Sequence, residues 1–290
     1  MSRTPSLSPL RPPRIAAVVA LVLGLFMAVP GSAAGTPVHG VHYVALGDSS
    51  AAASGVPDTV DARCMRSNHN YPSIVARRLH VVSFKDVTCD GARTETVFAE
   101  QLRAVTRGTN LVTLSIGGND VGFSRIVAKC TALGTFDSNG SPCQVSYGSS
   151  GSGGSDELQG RLAAAEPKVV KLLRAIHRRA PRARVFLVGY LRLVPVDHRG
   201  CRPREMFGNG DLAYLGTFEN AVNRMLAQAA RRGHAVFVNN HPASLRHDFC
   251  EARNVRWSEA LFPTNPALPF HPNARGERAM ANAVLAAVRR

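Results

Sequence analysis

Ser49, Asn119 and His271 are the residues of this chain whose types and settings suit a single kind of chemistry. Ser49 closes the apolar run Tyr43-Val44-Ala45-Leu46 through Gly47-Asp48-Ser49. A serine hydroxyl is a poor nucleophile at neutral pH and needs a base within hydrogen-bond reach, with donors placed where negative charge will develop. Two distant segments, Gly117-Gly118-Asn119-Asp120 and His271-Pro272-Asn273, carry such groups. His271 is a base, Asn119 offers amide N–H donors, and the glycines let backbone approach closely. A fourth short segment, Cys89-Asp90-Gly91-Ala92, can lend the Gly91 N–H. Each has an ordinary alternative when taken alone. Asp and Ser cap helices constantly, Gly-Asn-Asp and Asp-Gly are common turns, and a lone histidine is usually solvated or packed. Their joint order along the chain is what gives them weight.

These segments must be held by the elements around them. Short β-rich runs at Val41–Leu46, Val81–Val87, Asn110–Ile116, Arg184–Val188 and Ala235–Val238 predict five strands. Between and after them, Tyr71–Leu79, Thr94–Val105, Leu158–Arg179, Leu212–Arg231 and Asn273–Val288 carry apolar residues at helical spacing. Strands alternating with helices imply an α/β fold with a parallel sheet between helical layers. Ligands in such sheets sit beyond the carboxyl ends of the strands. Ser49 follows the first strand, Gly91 the second and Asn119 the third, so all three belong on one rim. His271 precedes the last helix, from where its loop can fold back.

The first 34 residues are basic and free of acids, with Arg3, Arg11 and Arg14, then an apolar run from Ile15 to Val29, then small residues through Ala34. This reads as a secretory signal peptide cut after Ala33 or Ala34, leaving one domain over residues 35–290. The apolar run is shorter than the ~20 residues that span a bilayer comfortably. The Gly/Ser stretch near residues 147–155 reads as a surface insertion. Cys64, Cys89, Cys130, Cys143, Cys201 and Cys250 all follow the leader, an even set that implies disulfides in an exported chain. Fifteen pairings are possible, of which the sequential one closes the shortest loops. No CxxC or Cys/His cluster has zinc-like spacing, so no metal site is expected. The formal charge is +15, from 35 Lys and Arg against 20 Asp and Glu, and it falls to +12 without the three leader arginines. Such a charge can draw a chain to anionic surfaces such as phospholipid headgroups or acidic wall polymers, but scattered arginines fit better a plain preference for arginine as the surface cation. Its arginines are scattered in sequence and not interleaved with aromatics, which argues against nucleic acid as a partner.

Taken together, Gly47-Asp48-Ser49, Gly91, Gly117-Gly118-Asn119-Asp120 and His271-Pro272-Asn273 resemble the four blocks of the SGNH/GDSL hydrolases, especially the secreted actinobacterial lipases and esterases. The resemblance runs from about Val41 to the C-terminus. It implies a flavodoxin-like three-layer α/β/α sandwich with a central five-stranded parallel sheet. It further implies Ser49 as nucleophile, His271 as base, and an oxyanion hole made of the Ser49 and Gly91 N–H groups and the Asn119 side chain. Sequential disulfides and the absence of a cofactor are implied as well. One position departs from the pattern: the family usually places an aspartate three residues before the histidine, and here that residue is Leu268. The Leu268 main-chain carbonyl is then the candidate for orienting His271, with Asp248, Glu251 or Glu259 as distant substitutes. Phe123, Ile126, Phe262, Leu268 and Phe270 near the motif loops are candidates for an acyl pocket. The expected function is secreted, monomeric serine esterase or lipase action on acyl-lipid or short-chain esters. The rivals are polysaccharide O-deacetylation, acyl transfer to another acceptor, or a non-catalytic exported binding module.

Overall fold

A computed structural model of the chain describes residue 1 and residues 40–148 and 156–290. The expected leader beyond Met1, and the Gly/Ser stretch from residue 149 to 155, lie outside the described residues. In chain order, β1 (His42–Gly47) leads into the four-residue α1 (Ser49–Ala52). A small antiparallel ribbon, β2 (Thr59–Asp61) and β3 (Arg66–Ser67), is followed by α2 (Tyr71–Leu79), β4 (Ser83–Asp86) and α3 (Thr94–Thr96). Next come β5 (Leu111–Ser115), α4 (Phe123–Phe136), α5 (Pro142–Tyr147) and α6 (Glu157–Arg179). β6 (Arg184–Val188), α7 (Asp211–Arg232), β7 (Val236–Val238) and α8 (Ala274–Val288) complete the order.

The five-stranded sheet runs β4-β1-β5-β6-β7, and every neighbouring pair is parallel. Counted among the sheet strands alone this is the order 2-1-3-4-5, the flavodoxin-like winding, whose switch point falls between the first and third strands. The side chains alternate between two cores, as the two-residue period of a strand requires. Val44, Leu46, Val112, Leu114, Val185 and Leu187 face the layer that holds α6 and α7. Tyr43, Ala45, Leu111, Phe186 and Val188 face α2 and α8. Because both faces are covered there, the central strands β1, β5 and β6 read as nearly continuous apolar runs.

The helices expected at Tyr71–Leu79, Leu158–Arg179, Leu212–Arg231 and Asn273–Val288 form within a residue or two of those limits. The single helix expected over Thr94–Val105 instead divides into α3, a π turn (Val97–Gln101) and a 3-10 turn (Leu102–Ala104). The wider turn delivers Gln101 to the end of β1, where its amide accepts from the Gly47 N–H at 2.8 Å and donates to the Gly47 carbonyl at 2.9 Å. Two helices, α4 and α5, and the ribbon were not expected, whereas α1 starts at Ser49, where a helix N-terminus was expected. α4 starts behind Gly122 in the left-handed region with no side-chain cap, so it has no sequence signature of a helix start.

The disulfides pair Cys64 with Cys89, Cys130 with Cys143 and Cys201 with Cys250, with Cα separations of 4.2, 4.9 and 5.4 Å. The first fastens the end of the ribbon to the loop after β4, where Asp90 N–H also donates to the Cys64 carbonyl at 3.0 Å.

Gly47 has φ +148, and a Cβ placed on it would lie 2.6 Å from the Ser115 carbonyl oxygen of β5. That contact is far inside van der Waals range, and backbone cannot yield cheaply. Gly47→Ala is therefore expected to destabilise the fold by roughly 1 to 3 kcal/mol, the range for overpacking. A denaturant midpoint equal to that of the unmodified protein would show that the close approach is not a constraint.

Candidate active site

β1 ends in a turn that presents Ser49 at the first position of α1. Asp48 caps that helix, accepting from Ser50 N–H at 3.1 Å, while its own N–H donates to Ser115 O at 3.0 Å. The turn is thus nailed to β5 by backbone and to the π turn by Gln101. Ser49 is almost fully covered, with 8 % of its surface exposed. Among the described residues the Ser49 and Gly91 amides have no protein acceptor, so both N–H groups are free to donate.

The His271 ring reaches back to this turn, and its Nε2 lies 2.8 Å from Ser49 Oγ. Its other nitrogen, Nδ1, lies 2.8 Å from the Pro269 carbonyl oxygen. A carbonyl can only accept, so Nδ1 carries the proton and Nε2 is left as the acceptor for the serine hydroxyl. The ring is half-buried, and this desolvation lowers its affinity for a proton, with the Pro269 carbonyl and Asp90 acting in the opposite direction.

The orienting carbonyl belongs to Pro269 and not to Leu268. The Leu268 carbonyl is taken by the His271 main-chain N–H at 3.2 Å, closing a turn across Pro269 and Phe270, whose φ is +58. Leu268 serves the loop through its amide, which donates to Ser54 O at 3.0 Å just beyond α1. Gly55 makes that approach possible, since a Cβ there would lie 2.6 Å from Leu268 N.

Glu259 does not reach the imidazole either. It is fully buried and bound to Arg256 at 2.8 Å, and it accepts from Asn273 Nδ2 at 2.7 Å and from Thr264 N–H at 2.9 Å. Burial acts to raise its pKa, but the bonds from Arg256, Asn265 and Asn273 outweigh burial and hold the carboxylate at about 2. Asn273 in turn caps α8, accepting from Arg275 and Gly276 N–H. With Glu259 N–H donating to His271 O at 3.0 Å and Asn273 N–H to Trp257 O at 2.9 Å, the histidine loop is fixed on both sides. Asp248 and Glu251 make no contact with the His271 ring; Asp248 accepts from Cys250 N–H at 3.0 Å.

Asn119 sits after β5 on the same rim. Its Nδ2 donates one hydrogen to Ala92 O at 3.0 Å, which leaves the second free. Asp120 binds Thr94 through both N–H and Oγ1, at 3.1 and 2.6 Å. These bonds stitch the loop after β5 to the loop that carries Gly91. Gly91 itself lies at the exposed edge, with φ +71.

A residue not anticipated from sequence joins these parts. The Tyr190 hydroxyl donates to Asp48 Oδ2 at 2.5 Å and accepts from Gly118 N–H at 2.8 Å. One oxygen atom therefore bridges the neighbour of Ser49 to the neighbour of Asn119. Burial pushes the Asp48 carboxyl up to about 7, against the Tyr190 and Ser50 bonds that lower it; Asp120 and Asp90 raise it further.

Residues 45–279 match the GDSL-like lipase/acylhydrolase family. Lipase 2 of Streptomyces coelicolor is 36% identical over 279 residues, covering 92% of this chain and 92% of that protein. Two solved structures superpose with a TM-score of 0.72. One is an extracellular lipase of Streptomyces rimosus, 25% identical and covering 85% of this chain and 99% of that one. The other is phospholipase A1 of Streptomyces albidoflavus, 23% identical and covering 84% of this chain and 98% of that one, a likeness of fold. The chain belongs to the GDSL-like lipase/acylhydrolase family.

As a member of that family it is a carboxylic ester hydrolase, and the rim segments border its cleft. Ser49, Asn119 and His271 line it. The rest is mostly apolar, from Val121, Leu191, Leu193, Phe218 and Val222, none of which was anticipated. Of the expected pocket residues, Phe123 and Phe270 line the cleft. Ile126 is buried in the α6/α7-side core, Phe262 is exposed, and Leu268 packs in the turn. Among the described residues no three His, Cys, Asp or Glu side chains are gathered as a metal site.

Tyr190 had one available signal, since Gly189-Tyr190 follows β6 directly and so falls on the same rim as the other loops. Gln101 and Arg256 had none, because they act from within a helix-like turn and a loop with no motif. In this hydrolase, Tyr190→Phe removes a bond that lowers the Asp48 pKa. The Asp48 ionisation should move upward from about 7, shifting the acid limb of kcat/KM to higher pH, with a loss of roughly tenfold, about 1.4 kcal/mol, at neutral pH. A pH–rate profile that overlays the unmodified enzyme would remove Tyr190 from this role.

Proposed function

We propose that the protein is an exported serine esterase acting on acyl esters with an apolar acyl chain, through one domain over residues 35–290 and without a cofactor. The observation that carries the reading is the pair of 2.8 Å contacts made by the two nitrogens of His271, to Ser49 Oγ and to Pro269 O. Ser49 Oγ attacks the ester carbonyl carbon while His271 Nε2 takes its proton. The tetrahedral oxyanion accepts from the Ser49 and Gly91 N–H groups and from the free hydrogen of Asn119 Nδ2. Collapse breaks the bond to the alcohol, which leaves with the proton from His271. Water then attacks the acyl group on Ser49, gives its proton to His271, and the acid departs as Ser49 recovers its hydrogen.

The apolar lining of the cleft supports an acyl chain as its occupant, since an acetylated sugar would need polar partners for its hydroxyls. The names of the related lipases and phospholipase support acyl lipids in particular. Export is supported by the basic, acid-free start followed by an apolar run, and by three disulfides, which persist in oxidising compartments.

Labelling with a fluorophosphonate, which reacts with an activated serine, is expected to place a single adduct on Ser49 and to fail in His271→Ala. An adduct on another serine, or none, would overturn the assignment. In a separate measurement, Asn119→Ala is expected to lower kcat by 10² to 10³, about 2.7 to 4 kcal/mol of barrier, the range found when one oxyanion donor is removed. A loss confined to KM would instead make Asn119 a ground-state contact.

A further inference from the structure

The rim opposite the cleft concentrates positive charge. α6 and α7 run from the cleft rim to the far end of the parallel sheet, where the chain turns into the next strand. The turn from α6 into β6 exposes Arg178, Arg179, Arg182 and Arg184, and the end of α7 exposes Arg231 and Arg232. Arg103 and Arg107 are exposed just before β5, and Arg289 and Arg290 just after α8.

Side-chain bonds show that these four segments are neighbours. Arg179 Nε donates to Val105 O at 2.9 Å, and Arg184 donates to Val288 O at 2.5 Å and Ala287 O at 3.2 Å. His177 Nε2 contacts His234 O at 3.0 Å. Ten arginines thus border the beginnings of the three adjacent strands β5, β6 and β7. Residues 102–110, 177–184, 231–235 and 287–290 contain no Asp or Glu. Glu166, part-way along α6, reaches only Arg232, at 2.8 Å.

Favourable placement of cations at helix C-termini accounts for Arg178, Arg179, Arg231 and Arg232. It does not account for Arg107 or Arg182, which lie beyond the helix ends, nor for the lack of compensating acids. Charge that is scattered in sequence is gathered in space.

We propose that this arginine belt docks an anionic polymer of repeating phosphate groups, held on the end of the molecule opposite the cleft. Guanidinium groups bind phosphate bidentately, and a row of them suits a repeating ligand. A lipid surface fits less well. An interfacial face pairs basic residues with Trp, Phe or Leu that enter the bilayer, and the large exposed apolar side chains bordering this belt are Val82 and Val236. A bilayer bound here would also lie away from the cleft. Single-stranded nucleic acid is bound with aromatic side chains that stack on its bases, and the four segments have no Phe, Tyr or Trp. The inference stands on charge and topology and holds whether or not Ser49 is the nucleophile.

The test measures retention of the full-length protein on immobilised inorganic polyphosphate at about 0.15 M salt, where surface charges are screened beyond roughly 8 Å. The fivefold variant R103Q/R107Q/R178Q/R182Q/R231Q should bind at least tenfold more weakly. A control with the same net charge, R199Q/R224Q/R246Q/R253Q/R278Q, should stay within about twofold of the unmodified protein. Replacing the first five residues by lysine should restore most of the binding, and thermal unfolding midpoints verify that each variant is folded. Polymer-bound unmodified enzyme should still turn over a small soluble ester. Equal weakening in both glutamine sets, binding to anionic vesicles but not to polyphosphate, or loss of turnover on the polymer would overturn the proposal.

Discussion

The hydrogen bond from His271 Nδ1–H to the Pro269 carbonyl is the interaction on which the site's arrangement turns. It fixes the imidazole tautomer that leaves Nε2 able to accept from Ser49, a task an aspartate performs in many serine hydrolases. A carbonyl does it without adding a full negative charge. That matters on this rim, where Asp90 and Asp120 already act to raise the Asp48 pKa. A further carboxylate beside His271 would repel this group and raise it again. The neutral carbonyl gives up some stabilisation of the imidazolium and avoids that repulsion.

A carbonyl acceptor is only as well placed as its loop, and the surrounding bonds answer that demand. The turn over residues 268–271 is held at one end by Leu268 N–H to Ser54 O and at the other by the pairing of residues 257–259 with residues 271–273. Beneath it lies the Arg256–Glu259 pair. Burying two charges is costly unless their remaining hydrogen-bonding capacity is met. Here Asn273, Asn265 and Thr264 meet it, so that desolvated charge becomes a rigid mount for the loop. The serine side is built by the same logic with neutral groups. Gln101 completes the hydrogen bonds of Gly47, and Tyr190 ties Asp48 to Gly118.

What the sequence revealed follows from which interactions are local. Ser49, Asn119 and His271 were legible because each sits in a short motif beside a strand or helix end whose hydropathy pattern is clear. The sheet was legible for the same reason: strands buried on both faces are runs of apolar residues, and their order followed from the fold that the motifs resemble. Gln101 acts on Gly47, 54 positions away, and Arg256 on Glu259, three away, with nothing in their neighbours to mark them, while Tyr190, 142 positions from Asp48, had only its place just after β6. Pro269 in place of Leu268 is a subtler case. The two carbonyls differ by one peptide, and only the left-handed Phe270 decides which of them turns toward the ring.

The distribution of charge obeys the topology as well. In a parallel α/β sheet, helix N-termini gather at the carboxyl ends of the strands and helix C-termini at the other end. Aligned peptide dipoles therefore favour anions at the cleft and cations at the far rim. Asp48, Asp86, Asp90 and Asp120 lie at or just past strand ends on the cleft side, and the arginine segments lie opposite. The fold supplies the sign of this polarity, since any sequence adopting it gains a little from the same arrangement. Its magnitude comes from the side chains. Arginines are placed even at loop positions where no helix end favours them, and carboxylates are withheld from a stretch of surface bordering three strands. A field of that strength persists outside the molecule over about a Debye length. It acts on what the far rim meets, while the mostly apolar surface of the cleft leaves the ester to be recognised by shape and by N–H donors.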